Sequence, residues 1–296
     1  MTLILSVLTV YGIDTFADNG LLDKASKDLN AYIKANASSL DVSKLLSSRV
    51  VYFGETHSEP ISKKFLMSEM ANLKKNGFTH LALEMFDITA QDLLSRYENG
   101  QATDEEILDY LKDNWGHIPS FYMRLLQSAK TNGFHLIAID YRKEKVFEIE
   151  MRDQTMAQQI ANIITENSFN KVIVLIGGAH INSFGDSMTF FQPAILKNIL
   201  GIDAVTYRIE PKYWLFESCS LKPGTYGDIS KMERNNPNLL CTKTYAENQS
   251  PIRSVLVDRI SSENIFLKTA RDISGFDGLI FVDQFDEKII DPLIRY

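Results

Sequence analysis

The chain has only two cysteines in 296 residues, Cys219 and Cys241. That is too few for a disulfide framework, and the short pair spacing of a zinc site is missing. The two thiols are compatible with one bridge in an oxidising compartment or with two buried free cysteines. No run of Lys and Arg interrupts a formal net charge of −7. This disfavours a nucleic-acid partner, because phosphate binding needs a basic face. No apolar stretch is long enough to span a bilayer as a helix. A serine in a G-x-S-x-G elbow is missing, and so is H-E-x-x-H, which removes the usual signatures of serine hydrolases and of that class of zinc peptidase. Internal repeats and low-complexity tracts are also absent.

What remains is a hydrophobic fraction of 45% and a charged fraction of 23%. These are ordinary for a folded chain with one large core or two smaller ones. Residues 1–20 read as a leader or signal-peptide remnant. Leu3 to Tyr11 has the character of an apolar h-region and Thr15-Phe16-Ala17 that of a small-residue cleavage site, although the basic n-region is lacking. This leans the localisation towards export, periplasmic or secreted, with the cytoplasm as the alternative.

Four short apolar runs organise the next part of the chain. Arg49 to Phe53 leads into Gly54-Glu55-Thr56-His57. His80 to Leu83 leads into Glu84. His135 to Ile139 leads into Asp140-Tyr141-Arg142. Lys171 to Ile176 leads into Gly177-Gly178-Ala179-His180. Such runs, separated by helical segments, read as buried parallel strands. Ligands of open α/β sheets bind beyond the carboxyl ends of the strands, so reactive groups at four such ends predict one shared site. The fold class is therefore α/β, with a mixed, mostly parallel sheet, helices on both faces and an inserted helical lid.

Pro60 starts a helix carrying Ile61, Phe65, Met70 and Leu73. Helices over Gln91–Tyr97, after the capping box Thr103-Asp104-Glu105-Glu106, and over Phe121–Lys130 form the expected lid at about 87–131. Trp115, His117, Tyr110 and Tyr122 belong to it. A long helix from about Lys145 to Glu166 places Arg152 on its apolar stripe, where a guanidinium needs a carboxylate or ligand as partner. A helix from Pro193 to Leu200 leads to a fifth strand over Asp203–Ile209. Residues 21–210 thus form the α/β core, and 211–296 a C-terminal extension rich in turns that returns a strand over Phe276–Asp283.

Each G-x-x-H segment turns tightly after a strand and presents a histidine at the mouth of the sheet. Glu55, His57, Glu84 and His180 supply acid and base groups for hydrolysis by an activated water, and Arg152 supplies positive charge for an oxyanion. Two imidazoles and two carboxylates are also donors that suit a divalent metal, though no residue is assigned as a metal ligand.

Gly54-Glu55-Thr56-His57, Leu83-Glu84-Met85-Phe86, Met151-Arg152-Asp153-Gln154-Thr155-Met156-Ala157 and Gly177-Gly178-Ala179-His180 resemble the erythromycin-esterase, ChaN-like and Tiki superfamily. The ChaN-like branch is the most similar, on Leu83 to Phe86 followed by Gln91 and Gly100. The resemblance spans roughly residues 45–210 and the strand near the C-terminus. It implies an α/β sheet with helices on both faces. It also implies one of several activities: hydrolysis of macrolide esters, proteolysis including that of toxin domains, or haem binding in iron uptake. By motif match the active-site Glu, His, Glu and His fall on Glu55, His57, Glu84 and His180, and the arginine on Arg152.

Bland roles compete with these. Each glutamate taken alone is as well explained by a helix cap or an ion pair, and Arg152 by a structural tie to Glu84 or Asp153. Asp140 and Arg142 read as structural supports, and His80 and His135 precede their strands at the far end of the sheet. Three functions follow. The first is a hydrolase of an ester or peptide bond acting through water on a small-molecule or peptide substrate. The second is a haem-binding uptake protein using the same groove, with Tyr or His as axial ligand. The third is a non-catalytic interaction protein. Haem or a divalent metal are the candidate cofactors.

Overall fold

The computed structural model describes residues 37–57, 60–116, 121–141, 149–183, 191–211, 213–214, 255–256, 265–268 and 276–282. The expected leader, His117, Arg142, both cysteines and the turn clusters after Pro211 lie outside these residues. Two units are distinguished, 37–211 with 263–296, and 1–36 with 212–262.

In the first unit an eight-stranded sheet is built from β1 (Ala37–Ser39), β2 (Val50–Glu55), β3 (His80–Asp87), β4 (His135–Asp140), β5 (Val172–Gly177), β6 (Val205–Pro211), β9 (Ile265–Lys268) and β10 (Gly278–Val282). Its order is β1-β9-β10-β6-β2-β5-β3-β4. The six strands from β10 to β4 pair in parallel, and β9 and β1 extend one edge antiparallel. The second unit contributes one described pair, β7 (Tyr213–Trp214) antiparallel to β8 (Val255–Leu256).

Alternation along each strand sorts the core into two layers. Val51, Phe53, Leu81, Leu83, Ile173 and Leu175 face one side. Val50, Tyr52, Ala82, Val172, Val174 and Ile176 face the other. The first side is covered by α2 (Ile61–Lys75), α3 (Gln91–Glu98), α4 (Asp104–Trp115) and α5 (Tyr122–Thr131), through Phe65, Leu66, Leu94, Ile107, Leu111, Leu125 and Leu126. A one-turn helix, α1 (Val42–Leu45), adds Val42 and Leu45 to that layer. The second side is covered by α6 (Ile149–Glu166) and α7 (Gln192–Leu200), through Met156, Ile160, Ile164 and Leu196.

The expected capping box begins α4: Thr103 Oγ1 accepts from Glu106 N, and Thr103 N donates to a Glu106 carboxylate oxygen. The three helices inserted between β3 and β4 build the core on their face of the sheet, and α4 ends by carrying Trp115 to the rim. The fifth strand runs Val205–Pro211, two residues later than its apolar pattern suggested, and the last described strand is Gly278–Val282.

Connectivity positions the site. After β2 the chain turns to α2 on one face, whereas after β5 it turns to α7 on the other. Adjacent strands whose exits diverge leave a crevice at their carboxyl ends. Into that crevice project Glu55 from β2, Gly177 from β5 and Glu84 from β3. The β3–β5 pairing ends at Leu83↔Leu175 and the β3–β4 register shifts between Leu83 and Asp87. Glu84 therefore lies within β3 yet has left the ladder, which frees its carboxylate to reach across the rim.

Candidate active site

Glu84 is the centre of the cluster. Its Oε1 accepts from Arg152 Nη2 at 2.6 Å and lies 3.2 Å from His180 Nε2. Its Oε2 accepts from the backbone N–H of Gly177 at 2.6 Å and lies 3.7 Å from His57 Nε2. Burial alone would raise this carboxyl, but His180, His57 and Arg152 outweigh burial and hold it well below the ordinary carboxylate range.

His57 is oriented from behind by Glu55, whose Oε1 is 2.8 Å from its Nδ1. The other oxygen of Glu55 pairs with Lys63 Nζ at 2.5 Å and accepts weakly from Ser62 at 3.3 Å. Lys63 is buried on α2, where it also donates to the carbonyls of Thr56 and His57 at 3.2 and 2.7 Å. Burial would again raise Glu55, and Lys63 with His57 lowers it below its usual value. The indole of Trp115 flanks His57 at 5.0 Å between ring centroids and is fixed by donating to Met85 O at 2.9 Å.

His180 sits between two carboxylates, with Nδ1 2.6 Å from Asp153 Oδ1 and Nε2 near Glu84. Burial disfavours its charge, yet Asp153 and Glu84 push it up to about 9. Arg152 completes the set by donating from Nε to Asp140 Oδ1 at 2.6 Å. Burial opposes its charge, and Glu84 and Asp140 more than compensate.

Both glycines of Gly177-Gly178-Ala179-His180 lie where a side chain would crowd the cluster. A Cβ on Gly177 would lie 3.2 Å from His57 Nε2 and 3.3 Å from Glu84 Oε2. A Cβ on Gly178 would run into the Arg208 guanidinium. Arg208, on β6, packs over that glycine and donates to Glu55 O and Thr56 Oγ1 at 3.0 and 2.8 Å.

All five residues expected from the sequence thus meet at one rim, and both glycine-led histidines share it. Arg152 ties to Glu84 and Asp140, not to Asp153. Exposure divides the five. The side chains of His57 and Arg152 are 27% and 28% exposed, against 0% for Glu55, 1% for Glu84 and 6% for His180. His57 and Arg152 are thus the two of the five open to solvent. Sequence reasoning missed Lys63, Asp153, Gln192 and Arg208 as members. Asp153 had a signal, since it follows Arg152 in the quoted motif. Lys63 had a weak one: it lies between Ile61 and Phe65 on a helix that buries that side.

His80 and His135 lie at the opposite end of the strands, as expected, with ring centroids 5.1 Å apart. Burial, His135 and Lys74 push His80 down to about 4.

The described residues contain no group of three His, Cys, Asp or Glu placed to hold a metal ion together. Residues 42–151 match the family model described as haem-binding uptake, Tiki superfamily, ChaN. Over those residues the chain is similar to ChaN-like proteins of the Tiki superfamily. Axial ligation of haem iron needs a nitrogen or oxygen lone pair turned to an open face. His180 has Nδ1 held by Asp153 and Nε2 3.2 Å from Glu84, whereas His57, with Nδ1 held by Glu55, keeps Nε2 3.7 Å from Glu84 on a partly exposed side chain. Tyr122 is buried, and Tyr110 accepts from Asp87 N at 2.9 Å with its ring stacked on Phe86. Of these four side chains, His57 alone turns such an atom toward solvent.

Among solved structures, ChaN of Campylobacter jejuni, described with cofacial haem binding, is 15% identical with a TM-score of 0.42, over 56% of this chain and 83% of that one. The type III effector HopBA1 is 17% identical with a TM-score of 0.43, over 55% and 77%. RRSP, a MARTX toxin effector domain from Vibrio vulnificus, is 20% identical with a TM-score of 0.42, over 57% and 36%. No curated protein matches the chain. No described helix is long and apolar enough to cross a membrane.

Proposed function

We propose that the ChaN-like chain is a hydrolase of an ester or peptide bond that activates water at this rim. The observation that carries the reading is Glu84, a buried carboxylate shared by Arg152, a backbone N–H and two imidazoles.

Glu55 accepts from His57 Nδ1 and so leaves the Nε2 lone pair facing the crevice. At 3.7 Å from Glu84 Oε2 that nitrogen is beyond a direct hydrogen bond. His57 is then the general base. It takes a proton from water as the water oxygen attacks the acyl carbon, and returns that proton to the leaving oxygen or nitrogen as the acyl bond breaks. Arg152, partly exposed beside it, stabilises the oxyanion. Glu84 fixes the guanidinium and keeps the site polarised, and its depressed protonation makes it a poor proton donor at neutral pH. His180 holds Glu84 from the buried side. The indole of Trp115 walls the crevice and offers an apolar face to the substrate.

The test is turnover of an ester and peptide library by the full chain, with His57→Ala and Glu84→Gln as comparisons and thermal unfolding as the check on folding. Hydrolysis lost in both folded variants supports the reading. A wild type that hydrolyses nothing, or variants as active as wild type, refutes it. Haem-uptake chemistry, which the family description names, is tested separately by adding haem. A Soret band abolished by one Tyr or His substitution would replace hydrolysis with binding.

A further inference from the structure

We infer that Asp153 and Gln192 form a buried clamp that holds His180 in its doubly protonated form, making them positioning residues for the rim cluster. The clamp is a matter of geometry alone; its catalytic consequence rests on the hydrolytic reading above.

His180 has a carboxylate oxygen at each ring nitrogen, Asp153 Oδ1 at 2.6 Å and Glu84 Oε1 at 3.2 Å. An imidazole carrying one proton can donate to only one of them and leaves the other oxygen against a lone pair. Both contacts are donor to acceptor only when both nitrogens carry protons. Among the described residues the opposing group is Arg152, whose Nη1 lies 3.3 Å from His180 Nε2. That guanidinium is itself engaged by Glu84 and Asp140. The groups facing the ring are therefore Glu84 from β3, and Arg152 and Asp153 from consecutive positions of α6. The balance favours the cation, in line with a histidine pushed up to about 9.

Gln192 supplies the third part. It sits at the start of α7, fully buried, and its Nε2 donates to both Asp153 O and Asp153 Oδ1 at 2.7 Å. Its own Oε1 is buried without a hydrogen-bond partner. Turning the amide over would set that oxygen against two oxygens of Asp153, so the orientation with an orphaned oxygen is the one that serves Asp153. A buried glutamine that forgoes a partner for its oxygen to grip one aspartate twice is difficult to explain as packing. It locks the Asp153 carboxylate onto His180 Nδ1. Because α7 covers the sheet on the same side as α6, the clamp also ties the position of that helix to the charge at the rim.

The test is a nitrogen-detected NMR titration of the full chain with labelled histidine, in which the ring shifts report protonation at each nitrogen. The chain has five histidines, and His180→Asn identifies the signal. In wild type, both nitrogens of His180 carry protons at pH 7, and one proton is lost only near pH 9. Asp153→Asn lowers that midpoint by more than about one pH unit, and Asp153→Glu restores part of it. Gln192→Met, which keeps volume and charge, lowers it by less. A wild-type His180 that titrates near pH 6.5 or carries one proton at pH 7 overturns the clamp, and so does a midpoint unmoved by Asp153→Asn in folded protein. The wild-type titration decides the matter even where a variant fails to fold. The readout needs no turnover, so a clamp that is found in a chain without hydrolysis would remove the proposed function and leave this inference standing.

Discussion

Glu84→Gln is the perturbation that most exposes the logic of the rim. The side chains have nearly the same shape, so packing is preserved and only charge and acceptor capacity change. Oε1 of Glu84 serves Arg152 and His180, and Oε2 serves Gly177 N. Glutamine has one acceptor oxygen, so in either orientation its NH2 is forced against a donor. At the same time Arg152 and His180 lose a buried counter-charge, and Glu84 is only 1% exposed. Removing one partner of a buried ion pair costs roughly 3–5 kcal/mol. With one hydrogen bond retained, a loss of about 3 kcal/mol is expected, or a fall in Tm of roughly 6–12 °C for a domain of this size. Thermal unfolding followed by circular dichroism at pH 7, with a urea titration as a second probe, measures it. A variant within ~2 °C of wild type would mean that Glu84 is solvated or exchanges partners freely, and the reasoning from a shared buried carboxylate would fail.

Other perturbations follow from the same contacts. His180 is raised from 6.5 to about 9 on folding, so its contribution is fully present below pH 6.5 and is lost as pH rises through 9. Urea unfolding between pH 6 and 10 should show a decline of about 3 kcal/mol, absent in His180→Gln. Glu55 and Glu84 have the opposite sign: lowered on folding, they stabilise above about pH 4.3 and cease to do so as pH falls through their lower folded values. Lys63→Met leaves the Glu55 carboxylate buried beside an apolar side chain and should cost about 3 kcal/mol or more, read as a lower urea midpoint. An unchanged midpoint would place Lys63 outside the network. Gly177→Ala sets a methyl against His57 Nε2 and Glu84 Oε2. It should reduce hydrolysis at least tenfold while shifting stability by no more than about 1–2 kcal/mol, and equal activity would show that this gap is not where water acts.

The parts of this molecule legible in its sequence are those that local pattern encodes. Val50–Phe53, Leu81–Leu83 and Val172–Ile176 are apolar on both faces because helices cover both sides of the sheet, and that continuity marked them as interior strands. The polar residues that end them mark the rim because the carboxyl ends of parallel strands all point one way. Thr103 and Glu106 announced the start of α4 for an equally local reason. Lys63 was not legible. With Lys64 beside it, it reads as solvated, and only the arrival of Glu55 from β2 makes its burial tolerable. Gln192 gains meaning from Asp153, 39 residues earlier in the chain. The antiparallel edge was also unreadable, since β1 is three residues long and β9 four, too short for a periodic signal. The inserted helices were expected above the strand ends. Their apolar faces, through Leu94, Ile107 and Leu126, complete one layer of the core, and Trp115 is brought against His57.

The most direct test of the account compares hydrolysis rates of wild type, His57→Ala, His180→Ala and the double variant on one substrate. If His57 is the base and His180 acts through Glu84 to hold the rim in which that base works, each replacement should lower kcat/KM by about 100-fold or more and the double variant should be little worse than either. Losses that multiply, or a single variant that keeps wild-type rates, would show that the two histidines act apart.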